Sequence, residues 1–122
     1  MDEGLRNAVD LFNNGRFPEF QDALEVVSSA TRAASERQFY ALLRNLAEAL
    51  HQLSIDDRAA AEALVTPALR KLDEFMPRFR GLNVEALRED FRRLLVELRD
   101  VREGRRTEWV PSRLPRLRIL PE

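Results

Sequence analysis

The sequence predicts an all-α fold: a compact bundle of about five antiparallel helices with an extended C-terminal arm. Two observations carry most of that reading. Residues 36–76 hold two apolar runs at three- and four-residue steps. Phe39, Leu42, Leu43, Leu46, Leu50 and Leu53 form the first; Ala60, Ala61, Leu64, Ala68, Leu72, Phe75 and Met76 form the second. This spacing marks amphipathic helices, and the link Ser54-Ile55-Asp56-Asp57 is so short that they must fold back on each other. The third observation is size: 122 residues suit one domain with a single core.

The remaining elements follow from local signals. Helix one is expected over Glu3–Asn13, with Leu5, Ala8, Val9 and Phe12 as its apolar stripe. Asn13-Asn14-Gly15 stops it, because glycine accepts the left-handed conformation just past a helix end. Helix two opens at Phe17-Pro18, where proline's missing N–H had no partner to lose, and Glu19 suits the first turn. Phe20, Ala23, Leu24 and Val27 face inward, and a loop is expected at residues 31–34. Ser35-Glu36-Arg37-Gln38 reads as a capping box that opens helix three, the expected central helix. Helix four is expected to start near Asp56, whose carboxylate can cap its first turn, and to end near Pro77. Pro67 predicts a kink or break within it, since proline removes a hydrogen bond and crowds the preceding turn. Helix five takes Asn83 as N-cap, Leu82 and Leu87 as a hydrophobic staple, and Gly104 as its stop.

Residues 1–104 then form the bundle and residues 105–122 the arm. The arm has three prolines and no helical period, yet Trp109, Val110, Leu114, Leu117, Ile119 and Leu120 are too apolar to be left in water. It is expected to pack on its own bundle or on a second subunit, with Trp109, Leu114, Leu117 and Ile119 against helical surface. Its arginines are expected to pair with the acidic first half, and a chain ending at Gly104 is expected to lose stability or change its oligomeric mass.

Composition excludes several classes. The hydrophobic fraction of 44% and charged fraction of 34% are ordinary for a globular protein rich in surface helix. There is no cysteine, hence no disulfide framework and no thiolate metal site. No apolar run approaches the roughly 20 residues of a membrane span, and Met1-Asp2-Glu3-Gly4 has no signal-peptide character. A bacterial cytoplasmic protein without a membrane partner is therefore expected. Residues 1–76 carry 8 basic and 13 acidic side chains, and residues 77–122 carry 12 and 8. Lys71 is the only lysine, so the chain favours planar, bidentate ion pairs.

Residues 11–25, Leu-Phe-Asn-Asn-Gly-Arg-Phe-Pro-Glu-Phe-Gln-Asp-Ala-Leu-Glu, resemble the opening signature of bacterial domain-of-unknown-function family 309. That signature reads roughly L-F-N-x-G-x-[FY]-[FY]-E-A-H-E-x-[LW]-E. Ala49-Leu50-His51 and Ala61 fall on family-typical positions, and Gly81-Leu82-Asn83-Val84 resembles the G-L-D-V start of its last helix. The resemblance spans about 90 residues, from Ala8 to Leu98. It implies a small all-helical protein, often a homo-oligomer, and implies no established activity. The chain departs from the pattern at Gln21, where the family has histidine, at Asp22, where it has glutamate, and at Ser28, where it has tryptophan. Ala41 and Asn45 replace paired glutamines, and Asp56-Asp57 replaces a Gly-Asn turn. A polar site between helices two and three would thus have lost its imidazole and one amide.

Gln21, Asp22 and Glu25 share one side of helix two and, with Asn45 and His51, are the candidates for a polar cleft. A metal needs several converging carboxylates or imidazoles, and His51 is the only imidazole, so no metal and no cofactor are expected. The serines sit at helix ends, and the four glycines are isolated, so neither a nucleophile with its base nor a phosphate loop is indicated. Arg105, Arg106, Arg113, Arg116 and Arg118 are the candidates for nucleic-acid contact. Acids interleave with the arginines of helix five, as on a surface laced with ion pairs. A tetratricopeptide array is excluded by the lack of a second copy at a 34-residue period. The reading favoured by the sequence is a non-enzymatic structural or interaction module, self-associating as a homodimer, with no catalytic residues. The alternative is a metal- or small-molecule-dependent enzyme with a site between helices two and three, and the third is a nucleic-acid accessory protein.

Overall fold

Asp2 starts the first helix by accepting the backbone N–H of Leu5 at 3.2 Å, and α1 runs over Glu3–Asn13. The chain turns at Gly15, at φ 75°, into α2 (Phe17–Ser29). The computed structural model describes residues 1–109 and 114–121. The third helix, α3, spans Ala34–Ser54, so Ser35 already lies inside it and the expected capping box does not form. Thr31 organises this helix start instead. Its hydroxyl accepts from the N–H of Ala33 at 3.3 Å and donates to Glu36 Oε2 at 2.9 Å, while Arg37 donates to the carbonyls of Thr31 and Arg32. The cap of α4 (Arg58–Leu72) is Asp57, one residue later than expected: its carboxylate accepts from Ala60 N–H at 3.0 Å. Asp56 is diverted into the turn, at φ 64°.

Pro67 neither breaks nor ends α4, which continues to Leu72 and then tightens into a 3-10 turn, Asp73–Phe75. The expected end near Pro77 is thus replaced by that turn and by an unexpected hairpin. Its strands, β1 (Arg78–Phe79) and β2 (Leu82–Asn83), pair antiparallel. The two linking residues, Arg80 and Gly81, both have positive φ (50° and 79°), the conformation that two-residue hairpin turns require. Asn83 then caps α5 (Val84–Arg102) as expected, accepting from Ala86 N–H at 3.0 Å, and both staple positions, Leu82 and Leu87, are buried.

Helices that follow one another in sequence pack on one another: α1 on α2, α2 on α3, α3 on α4 and α4 on α5. This order puts α3 and α4 in the middle. The largest fully buried side chains include Phe12, Phe20, Phe39 and Phe91. Phe12 meets Phe17 and Phe20 edge-on at 5.5 and 5.1 Å between ring centroids, closing the α1–α2 corner. Phe39 meets Phe75 and Phe79 at 5.2 and 4.9 Å, which ties the hairpin to α3.

The arm packs on its own bundle. Its backbone forms a bridge between Ile119 and Leu82, with Asn83 N–H donating to Arg118 O at 2.9 Å and Leu120 N–H to Gly81 O at 2.8 Å. The side chain of Asn13 reads the backbone of Leu117 in both directions, accepting from its N–H at 2.8 Å and donating to its carbonyl at 2.9 Å. Asp90 of α5, only 6 % exposed, accepts from Arg118 Nη1 at 3.0 Å and from Arg116 N–H at 3.3 Å. Leu117 is 2 % exposed, while Leu114, expected against helical surface, is 42 % exposed. Trp109 is half-buried against the core, and its indole N–H has no partner among the described residues. The described arm arginines that form ion pairs do so with α5 and the turn after it, Arg118 with Asp90 and Arg105 with Asp100 and Glu103, rather than with the acidic first half.

Removing the Leu117 side chain should cost about 2 kcal/mol in urea unfolding, at the low end for a buried leucine because the site lies under a peripheral segment. Asn13→Ala should cost about 1–2 kcal/mol, since both backbone groups of Leu117 lose their partner. Leu114→Ala should stay within about 0.5 kcal/mol of wild type. Equal losses for Leu117 and Leu114 would show that the arm is not seated in this register.

Candidate functional site

Because α2 and α4 flank α3, most of its circumference is buried: Phe39, Tyr40, Leu42, Leu43, Leu46, Ala47, Ala49, Leu50 and Leu53. Among the residues of α3 that are not buried, Gln38, Ala41, Asn45, Glu48 and Gln52 form a strip at alternating three- and four-residue steps, with Arg44 and His51 beside it. Glu48 is the centre of this strip. Its Oε2 accepts from the Gln21 amide of α2 at 2.9 Å, and its Oε1 accepts from the Gln52 amide at 2.8 Å. The Gln21 hydrogen bond, and then the Gln52 one, holds the Glu48 carboxyl below its ordinary value; the nearby His51 charge acts in the same direction and partial burial opposes it.

Two shallow pockets meet at this strip, both touching Ala41 and Asn45. One of about 330 Å³ is lined by Gln21, Ala41, Arg44, Asn45 and Glu48. The other, of about 290 Å³, lies between α3 and the end of α4, with Gln38, Asn45, Lys71 and Glu74 at its edge and Leu42 and Phe75 beneath.

Of the residues singled out from sequence, Gln21 and Asn45 come together. Glu25 reaches the same region through a 3.8 Å ion contact with Arg44. Asp22 is exposed and has no side-chain partner among the described residues. His51 lines neither of these two pockets. Glu48 and Gln52 complete the cluster. Their signal in the sequence is the same 3–4 spacing that defines the strip, read for polar rather than apolar side chains. Among the described residues no three histidine or acidic side chains converge as a metal set. The arrangement can accept and donate hydrogen bonds through amides, and the Glu48 carboxylate at its centre is already engaged on both oxygens.

The arginines of the C-terminal half divide. Arg88 pairs with Asp73 at 2.8 Å, Arg92 with Glu89 at 3.1 Å and Arg93 with Asp90 at 3.6 Å. Arg99 and Arg102 share Glu62 at 3.5 and 3.1 Å. Of the proposed nucleic-acid contacts, Arg105 and Arg118 are engaged with carboxylates. The side chains of Arg106 and Arg116 are exposed and unpaired among the described residues, and Arg113 lies outside them. Among the described residues no helix is long and apolar enough to cross a membrane. Comparison with known proteins finds no matching family model, no matching curated protein and no matching solved structure.

A depressed carboxyl pKa fixes the sign of a pH effect. The stabilisation from Glu48 is fully present above its ordinary value of 4.5 and is lost as the pH falls through the lower folded value. In urea midpoints measured from pH 7 to pH 3, Glu48→Gln should therefore fall less steeply than wild type in the acid range. Parallel curves would mean that the two amides do not favour the ionised form.

Proposed function

We propose that the chain is a non-enzymatic structural or protein-interaction module of a bacterial cytoplasm that self-associates as a homodimer. The observation that supports this most is the state of the candidate cleft: both oxygens of Glu48 are taken by the Gln21 and Gln52 amides, and Glu25 is engaged with Arg44. General acid–base work needs a titrating group free to meet a substrate proton, and this cluster offers amides instead. The resemblance to family 309 belongs to this proposal, as it favours an oligomeric helical protein of distant kinship.

The second reading, an enzyme that uses a small molecule or metal, is favoured by one observation: the Asn45 side chain stands where two pockets meet. The nucleic-acid reading would rest on Arg106, Arg113 and Arg116, since the other two candidates are neutralised by carboxylates.

Light scattering over a range of concentrations should give twice the 14.2 kDa chain mass. A single-chain mass at every concentration would remove the homodimer. A co-purifying metal whose removal abolishes a turnover, with Asn45→Ala losing the same turnover, would replace the module with an enzyme. A gel shift that weakens steeply with salt would do so in favour of nucleic acid, because released counterions set that slope.

A further inference from the structure

Four polar side chains stand around the pocket between α3 and the end of α4. Gln38 and Asn45 come from α3, Lys71 from the last turn of α4 and Glu74 from the 3-10 turn after it. None of the four side chains has a hydrogen bond or ion pair among the described residues. Three other pockets differ. In that of about 330 Å³, Gln21 is bonded to Glu48 and Arg44 meets Glu25. In one of about 370 Å³ beside the α3–α4 turn, Arg58 pairs with Asp56, Asp57 caps α4 and Glu62 holds Arg102. In one of about 380 Å³ near the N-terminus, Asp2 caps α1 and Arg80 pairs with Glu36. Of these four pockets, only the one between α3 and the end of α4 has an uncommitted cation, an uncommitted anion and two amides.

Helical spacing brings the lining together. Positions 38, 41, 42 and 45 share one side of α3, and positions 71, 74 and 75 share the side of α4 and its 3-10 turn that meets it. Leu42 and Phe75 form a buried apolar floor. The Phe75 ring is held by Phe39 and Phe79, at 5.2 and 4.9 Å between centroids, so the floor is in place before anything binds. Ala41 keeps the pocket open, because its side chain is short and exposed. The volume, about 290 Å³, lies at the lower limit of the roughly 300–1,000 Å³ of small-molecule sites, which suits a ligand the size of one amino acid.

We propose that this pocket binds a free α-amino acid with an apolar side chain, its carboxylate on Lys71, its ammonium on Glu74 and its side chain over Leu42 and Phe75. Charge complementarity selects this class. An anion meets repulsion from Glu74, a cation meets it from Lys71, and a neutral molecule uses neither charge; a zwitterion uses both. The Gln38 and Asn45 amides can donate and accept, so they add hydrogen bonds to either end. Lys71 and Glu74 are exposed, so the affinity is modest, with a Kd on the order of 1 mM. The site goes beyond the module reading and assigns no reaction.

The test is a titration of the ¹⁵N-labelled full-length chain, followed by amide chemical shifts. The three probes are L-leucine, leucinamide, which lacks the carboxylate, and N-acetyl-leucine, which lacks the ammonium. L-leucine should give saturable shifts at Ala41, Asn45, Lys71 and Glu74, and each blocked probe should bind about tenfold more weakly. Lys71→Gln should erase the preference for leucine over leucinamide, and Glu74→Gln the preference over N-acetyl-leucine. A site that is merely structural shows no such matched loss. Ala41→Leu, at an exposed helical position where leucine is well tolerated, should abolish binding with the helical circular dichroism unchanged. No saturable shift with leucine, equal binding of all three probes, or full binding by Ala41→Leu overturns the site. Each of those results leaves the module and its light-scattering test as they are.

Discussion

Burial on two sides of α3 is the constraint from which most of the structure follows. A helix flanked by α2 and α4 has no broad polar face to give to solvent, and every residue on its two covered sides must be apolar or small. Leu43, Leu46 and Ala47 meet that demand with no exposed surface. The one strip left over is where polar side chains are free to collect, and the Gln21–Glu48–Gln52 cluster stands there for that reason. The Gln21–Glu48 hydrogen bond joins α2 to α3 at the edge of their apolar contact.

How much was legible in the sequence depended on the range of the interaction involved. The limits of α1 and the cap of α5 are set by residues within four positions, Gly15 and Asn83, and both could be read directly. The start of α3 shows a competition between two local signals. Ser35 and Gln38 have the right spacing for a cap, but Thr31 reaches Glu36 and draws the helix start upstream of them. At the α3–α4 turn two aspartates competed for one capping role, and the backbone assigned Asp56 to the left-handed position and Asp57 to the cap. The hairpin was hidden because two-residue strands are too short to show alternation.

Asp90 belongs to a different category. On helix five it looks like one more surface acid among arginines, and Arg93 one turn away pairs with it as that view requires. Its burial is imposed by a segment 26 to 28 residues further along the chain. The bidentate grip of Asn13 on Leu117 spans 104 residues. No periodicity encodes such a contact, and the apolar content of the arm announced only that it would be covered, not by what. Among the described residues its arginines pair with Asp90 and Asp100 of α5 and with Glu103 just after it, the carboxylates beside the path it takes, rather than with the acidic first half.

The chain has one tryptophan and one tyrosine, and the fold has put them in different places. Tyr40 lies in the middle of the bundle, where burial raises its phenol pKa against the pull of the adjacent Arg80 guanidinium. Trp109 stands at the root of the arm, half-covered and with no partner for its N–H among the described residues. The two intrinsic chromophores are therefore partitioned between the middle of the bundle and the root of the arm. Tryptophan emission reports on the fastening of the last segment, while the far-ultraviolet helical signal reports on the five helices. Whether those two records superimpose during denaturation decides if this small domain unfolds as one cooperative unit or sheds its final strand first.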